Sequence, residues 1–202
     1  MDALNSVENR RTTIDEPYNP VVRPSTEADV PDMLAIYMHH VQRGIGEFDF
    51  EPLHADDIKR RRKNMLKRRL PHLVAEYCGI VVGYAYAVAF RKRPAHNYTV
   101  KHSIYVHEDH LHSGIGKLLL RPLIDACTAA GYRQMIAYID ASNTSSQHLH
   151  EMFGFTRAGQ LKGVGFKYGR WTDSILMQRA LGAGDAAPPT DDNCTHNPQD
   201  QS

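Results

Sequence analysis

Cysteine is scarce and scattered in this chain of 202 residues: Cys78, Cys127 and Cys194 are far apart, odd in number and form no CxxC pair. A disulfide framework or a structural zinc site has nothing to build on, and a reducing compartment is the expectation. An excess of either charge is also missing. Against 24 basic side chains stand 23 acidic ones, a formal net charge of +1. No bulk electrostatic pull toward nucleic acid or an anionic membrane follows, so any partner has to be recognised locally. Long apolar runs are absent too. The opening residues, MDALNSVENRR, carry no signal-peptide core, and no later stretch approaches the roughly 20 apolar residues that span a bilayer. A cytoplasmic protein without membrane or nucleic-acid partners is expected.

What is present is enough apolar material, 42% of residues, for one domain with a sizeable core. Residues 1–20, broken by Pro17 and Pro20, and residues 182–202, small, polar and proline-bearing, are expected to be disordered tails around a domain over 21–181. Within it the hydrophobic period switches repeatedly between two and three to four, the pattern of a mixed α/β domain. Val21 to Pro24 reads as a short strand. Ser25 or Thr26 can cap a helix with Val30, Met33, Leu34, Tyr37, Met38 and Val41 on one side. A second helix fits 55–69. His72 to Tyr77 and Ile80 to Phe90 are β-rich runs joined at Cys78-Gly79, a natural hairpin turn. A strand over about 99–106, a helix ending at Gly131, a strand at Met135 to Ile139, a short helix capped by Asn143 or Thr144, and strands near 155–162 and 172–180 complete the order. Pro122 inside the third long helix should kink or loosen it.

The most informative segment joins the strand ending Ser103-Ile-Tyr-Val106 to an amphipathic helix through His110-Leu-His-Ser-Gly114-Ile-Gly116-Lys117. Glycines let a backbone approach an anion closely, and the free N–H groups at a helix start favour phosphate oxygens. Two better-known phosphate motifs fail here. Leu118 follows Lys117 where a Walker A loop needs Ser or Thr, and Leu119 stands where a dinucleotide fingerprint needs a small residue.

Taken with Asn143-x2-Ser146-x3-His150-Glu-x2-Gly154-Phe155, this segment resembles the GNAT superfamily of N-acetyltransferases. The run Gly165-Phe-Lys-Tyr-Gly-Arg-Trp171-x-Asp173, with Ile36-Tyr37 and Glu47-Phe48-x2-Glu51-Pro52, resembles its phosphinothricin acetyltransferase-like branch. The resemblance spans about 21–181. It implies an α/β (α+β) fold with a mostly antiparallel central sheet flanked by helices and splayed at an acetyl-CoA slot. It implies acetyl transfer from acetyl-CoA to the amine of a small molecule, probed first among amino-acid-like acceptors such as phosphinothricin or methionine sulfone and sulfoximine, in a homodimer. Carried over by position, Leu111, His112, Ser113, Gly114, Ile115 and Gly116 would wrap the pyrophosphate, with Lys117 adding charge. Backbone at Ile104, Tyr105 and Val106 would meet the pantetheine arm and thioester, Asn143 and Ser146 would lie along the cofactor, and His150 would donate or relay a proton near the sulfur. Arg93, in the loop Arg91-Lys92-Arg93, would meet an acceptor carboxylate, and Phe48 would line the acceptor site.

Two departures stand out. Leu111 and His112 open the glycine turn where the branch has glutamine or arginine; the cradle is mostly backbone, so the site survives. Lys101 occupies the position of the branch's general-base glutamate, and a cationic lysine cannot take a proton unless its pKa is pulled far down. That raises an alternative, a non-catalytic acyl-CoA-binding or regulatory protein that has lost its base. Other constellations read as ordinary. The twelve histidines, among them His107, His110 and His112, lack converging metal-ligand spacing, so no metal is expected. The eight basic residues of 59–69 share a helix with Asp56, Asp57 and an apolar stripe, which suits a solvated face.

Overall fold

Alternation of apolar side chains along strands, and their recurrence at three to four residues along helices, decides which face of each element is buried. The computed structural model describes residues 18–42 and 54–189. In chain order these form β1 (Val21–Pro24), α1 (Val30–Gln42), α2 (Ala55–Lys67), β2 (His72–Tyr77), β3 (Ile80–Ala89), β4 (Thr99–Val106), α3 (Ile115–Ala129), β5 (Gln134–Asp140), α4 (Thr144–Met152), β6 (Thr156–Lys167) and β7 (Arg170–Ala180). The strands make one seven-stranded sheet in the order β1-β2-β3-β4-β5-β7-β6. Every pairing is antiparallel except that of β4 with β5.

Each face of the sheet carries its own core. On one side α3 supplies Ile115, Leu119, Leu120, Leu123, Ile124 and Cys127 against Val82, Ala85, Val100, Met135 and Met177. Leu119, Leu120 and Leu123 are completely buried, a contribution of about 1.5–3 kcal/mol apiece. On the other side Met33, Ile36 and Tyr37 of α1 and Ile58 of α2 cover Val74, Val81, Tyr84 and Tyr105.

The sequence expectations hold for element type and order, with local differences. Thr26 precedes a 3-10 turn, Glu27–Asp29, rather than the helix itself, and its N–H and hydroxyl both donate to Asp29. Ser25 is instead held by Arg62, whose Nε donates to its hydroxyl at 2.7 Å. The Cys78-Gly79 hairpin turn has positive φ at both residues, as a two-residue turn of this hand requires. Helix α3 runs unbroken through Pro122. The last two strands are longer than expected and meet at Tyr168-Gly169, both again at positive φ. Residues just past Leu181 turn back on the domain: Gly184 N–H donates to Leu181 O, and Arg133 donates to Pro188 O.

Candidate active site

Strands β4 and β5 pair over only three residues, Thr99, Val100 and Lys101 against Gln134, Met135 and Ile136. Beyond Lys101 they part, because β5 continues along β7 while β4 stays with β3 through Val106. The wedge between them is a pocket whose walls include Ser103, Ile104 and Tyr105 of β4, Tyr138 and Ile139 of β5, and Asn143, Ser146 and His150 of α4. Peptide groups facing an opened ladder have no strand partner, so a ligand bearing amides can complete it. His40, near the end of α1, also lines the wedge, and its Nε2 lies 2.8 Å from the Val106 carbonyl, to which it donates.

At the far end of β4 the chain makes a 3-10 turn, Glu108–His110, and enters α3. His112 and Gly114 both have positive φ, 61° and 92°, and Gly114 is the N-cap. A Cβ on Gly114 would meet nothing within 4 Å, so space is open where an anion would sit. The first intrahelical bond is Leu118 N–H to Gly114 O, which places the N–H groups of residues 115–117 at the positive end of the helix. Leu111, His112, Ser113 and Lys117 are exposed around this turn. Gly116 has a different reason to be glycine: a Cβ there would lie 2.9 Å from Leu149 Cδ2, so α3 and α4 meet at this point.

Asn143 caps α4 by accepting the Ser146 N–H at 3.0 Å. Ser146 O in turn accepts the Nδ1–H of His150 at 2.6 Å, which leaves His150 Nε2 to accept from His102 Nε2–H at 2.9 Å. Both rings are buried, at 4% exposure. Burial, with His150 beside it, pulls His102 down to about 3, and burial lowers His150 as well. The pair is therefore neutral at physiological pH, and His102 Nδ1 is buried without a hydrogen bond. A second buried pair closes the wedge: Lys167 Nζ lies 3.1 Å from Asp140 Oδ2, while Asp140 Oδ1 accepts from the Ser142 N–H and hydroxyl. Burial alone would raise the Asp140 carboxyl, but Ser142 and Lys167 more than offset this and hold it low.

The sheet's alternation separates the remaining candidates. Val100 and His102 are buried on the α3 side, whereas Lys101, Ser103 and Tyr105 alternate to the α1 side, where Tyr105 joins the second core. Lys101 is half-buried beside Val88 and Ile136 at the point where the strands part. Arg93 is exposed ahead of the 3-10 turn Pro94–His96 and does not line the wedge. Phe48 lies outside the described residues, with Glu47 and Glu51. Three contributors were missed in the sequence: His102 as partner of His150, His40, and the Lys167–Asp140 pair. Only Lys167 had a signal, its place in Gly165-Phe-Lys-Tyr-Gly-Arg-Trp171. Among the described residues no group of three His, Cys, Asp or Glu side chains could hold a metal ion, and no helix is long and apolar enough to cross a membrane.

Both the sequence and the fold of this chain are matched among known proteins. The acetyltransferase (GNAT) family model matches residues 35–155. The chain belongs to the GNAT acetyltransferase family. It is 44% identical over 169 residues to phosphinothricin N-acetyltransferase of Alcaligenes faecalis, covering 83% of this chain and 86% of that one. It is 35% identical over 160 residues to the L-methionine sulfoximine/L-methionine sulfone acetyltransferase of Salmonella typhimurium, covering 79% and 94%. Among solved structures, a GNAT superfamily phosphinothricin acetyltransferase from Sinorhizobium meliloti in complex with AcCoA superposes with a TM-score of 0.83 at 40% identity, over 86% of this chain and 94% of that one. As a GNAT enzyme the protein is an acetyl-CoA-dependent N-acetyltransferase.

Proposed function

We propose that this GNAT enzyme acetylates the α-amine of a free amino acid or amino-acid analogue, of the phosphinothricin or methionine sulfone and sulfoximine type. The observation that carries the reading is the wedge at Ser103–Tyr105 with His150 beside it, in a chain 44% identical to a phosphinothricin N-acetyltransferase. Acetyl-CoA supplies a thioester carbonyl activated toward attack. The main chain of Ile104, Tyr105 and Val106 orients that carbonyl with preorganised N–H groups, the strongest kind of help an active site gives to acyl transfer. The turn from Leu111 to Gly116 holds the pyrophosphate through backbone amides, with Lys117 adding charge. Asn143 and Ser146 shape the wall along the arm. His150 suits a relay rather than a lone donor, because both of its nitrogens are engaged. Lys101 takes the place of a carboxylate base, so the acceptor enters as the neutral amine. Arg93 meets the acceptor carboxylate from the exposed loop, and Phe48 is the second acceptor-binding residue that the family resemblance implies.

The assembly that fits is a homodimer. The β6–β7 hairpin displays Trp171 at 70% exposure, Tyr168 at 64% and Phe166 at 49%, with the Phe166 and Trp171 rings 5.2 Å apart. An apolar patch of this kind on a sheet edge suits a protein partner. Trp171→Asp then turns a dimer into a monomer in sedimentation velocity; a wild-type monomer refutes this part.

The deciding experiment is a CoA-release assay over a panel of amino acids, their sulfone, sulfoximine and phosphinate analogues, and simple amines. Turnover with α-amino acids and their analogues, and not with amines lacking a carboxylate, is expected. Equal turnover of simple amines removes the proposed acceptor class. No turnover with any member of the panel also removes it, and places the acceptor outside both classes.

A further inference from the structure

Tyr18 lies outside the stretch matched by the family model, residues 35–155, yet it rests on the turn proposed to hold the cofactor phosphates. Its hydroxyl is 2.8 Å from His110 Nδ1 and 3.4 Å from Ser113 Oγ. Its ring stacks on His110, centroids 5.6 Å apart and nearly parallel at 16°, and packs at 4.6 Å against Tyr77 at the end of β2. Ser113 closes the contact by donating its hydroxyl to His110 O at 2.5 Å.

The turn needs such support. Positive φ at His112, a residue with a Cβ, is disfavoured, and the next positive φ follows two residues later at Gly114. A turn in that conformation keeps its amides aimed at an anion only if something outside holds it. The loop's own bonds are short-range: His110 N–H to His107 O, Leu111 N–H to Glu108 O and Ser113 N–H to His110 O. Tyr18 adds a contact reaching across 92 residues of sequence, beside Tyr77 edge-on against the His110 ring and His39 at 3.0 Å from Glu108, and of these it alone bonds both His110 and Ser113. It is also half-exposed, which suits a residue that pins a surface loop more than one that builds the core.

We propose that Tyr18 is a positioning residue of the cofactor site, fixing the His110–Gly114 turn so that its backbone is preset for the pyrophosphate. The segment that precedes β1 thereby belongs to the enzyme's donor specificity. This inference rests on the reading of that turn as the phosphate cradle.

The test compares two acetyl donors: acetyl-CoA, and S-acetyl-pantetheine, which has the same thioester and arm without the phosphates. In the full chain, Tyr18→Ala raises KM for acetyl-CoA by about three- to tenfold, the size expected for one hydrogen bond and a ring contact. It leaves kcat, the acceptor KM and kcat/KM for S-acetyl-pantetheine unchanged. Tyr18→Phe, which keeps the ring, falls between wild type and Tyr18→Ala. Unchanged KM for acetyl-CoA in Tyr18→Ala overturns the proposal. So does an equal loss with both donors, the signature of a general structural role. Gly114→Val tells the two readings apart: if it too leaves acetyl-CoA binding intact, the phosphate cradle is misplaced, whereas loss there with no effect at Tyr18 refutes Tyr18 alone.

Discussion

Acid should weaken this protein in a window set by histidines, and His72 makes the effect measurable. His72 is 4% exposed, stacked on Tyr84 and Tyr86 with centroids 6.2 and 5.4 Å away, and its Nδ1 has no hydrogen bond. Burial, helped by Arg62 and opposed by Asp29, pulls it down to about 4. His102 is pulled further, to about 3. A histidine with a depressed folded pKa binds fewer protons folded than unfolded, so its contribution is complete above the unfolded value of about 6.5 and is lost as pH falls below it. At about 1.36 kcal/mol per pH unit, moving from pH 7 to pH 5 costs about 2 kcal/mol for each of the two, or about 4 kcal/mol together. That is a large share of an ordinary domain stability of about 5–15 kcal/mol. The lowered carboxylates, with Asp29 at about 2 and Asp140 also low, lose their contribution only below about pH 4, so they are silent in this window. Urea melts of wild type and His72→Phe at pH 5, 6 and 7 provide the assay. Phenylalanine keeps the stack and removes the titration, so the variant should lose about 2 kcal/mol of the pH dependence between pH 7 and pH 5, the rest staying with His102 and His150. A wild type equally stable at pH 5 and 7, or a variant with the full wild-type slope, refutes the reasoning.

Further expectations concern the site. Lys101→Glu should raise turnover near neutrality and move the lower limb of the pH–rate profile downward, because a general base contributes about 10²–10⁴-fold, while Lys101→Ala should change little; large losses in both variants would show that lysine itself is needed. The two glycines of the turn should respond differently. Gly114→Val, at φ 92° with open space around it, should weaken acetyl-CoA binding in calorimetry, whereas Gly116→Val should lower the thermal midpoint, because its side chain strikes Leu149. Lys167→Ala, which strands the buried Asp140 carboxylate, should cost about 3–5 kcal/mol in urea melts, and a double variant with Asp140→Asn should cost less than the two separate losses added.

Periodicity made most of the fold legible. Val30 to Val41 and Leu119 to Cys127 announce their buried faces by spacing alone, and Cys78-Gly79 marks its hairpin. The last hairpin was underestimated because Gly159, Gly163 and Gly165 interrupt the alternation of β6. The structure answers with register shifts between Arg157 and Gly159 and between Leu161 and Gly165, so the strand continues where the pattern fades. In the site, the glycine turn ahead of α3 was legible because it is local: strand, glycine and helix follow one another in sequence. The His102–His150 and Lys167–Asp140 contacts were not, since they join residues 48 and 27 positions apart on elements brought together only by the sheet order. Gly116 shows the limit of a motif from another side. Beside the phosphate role its spacing suggests, it carries a packing constraint that the motif does not reveal, since a Cβ there would meet Leu149 of α4.

The three-residue pairing of β4 with β5 has a mechanical consequence. It divides the sheet into two stiff antiparallel panels, β1 to β4 and β5-β7-β6, stitched to each other along a short seam. Load applied across the molecule concentrates at that seam, the thinnest part of the hydrogen-bonded fabric. A molecule lying in the wedge with one edge on each panel acts as a splint. Occupancy would then be felt well beyond the residues it touches, as slower amide exchange on both panels at once.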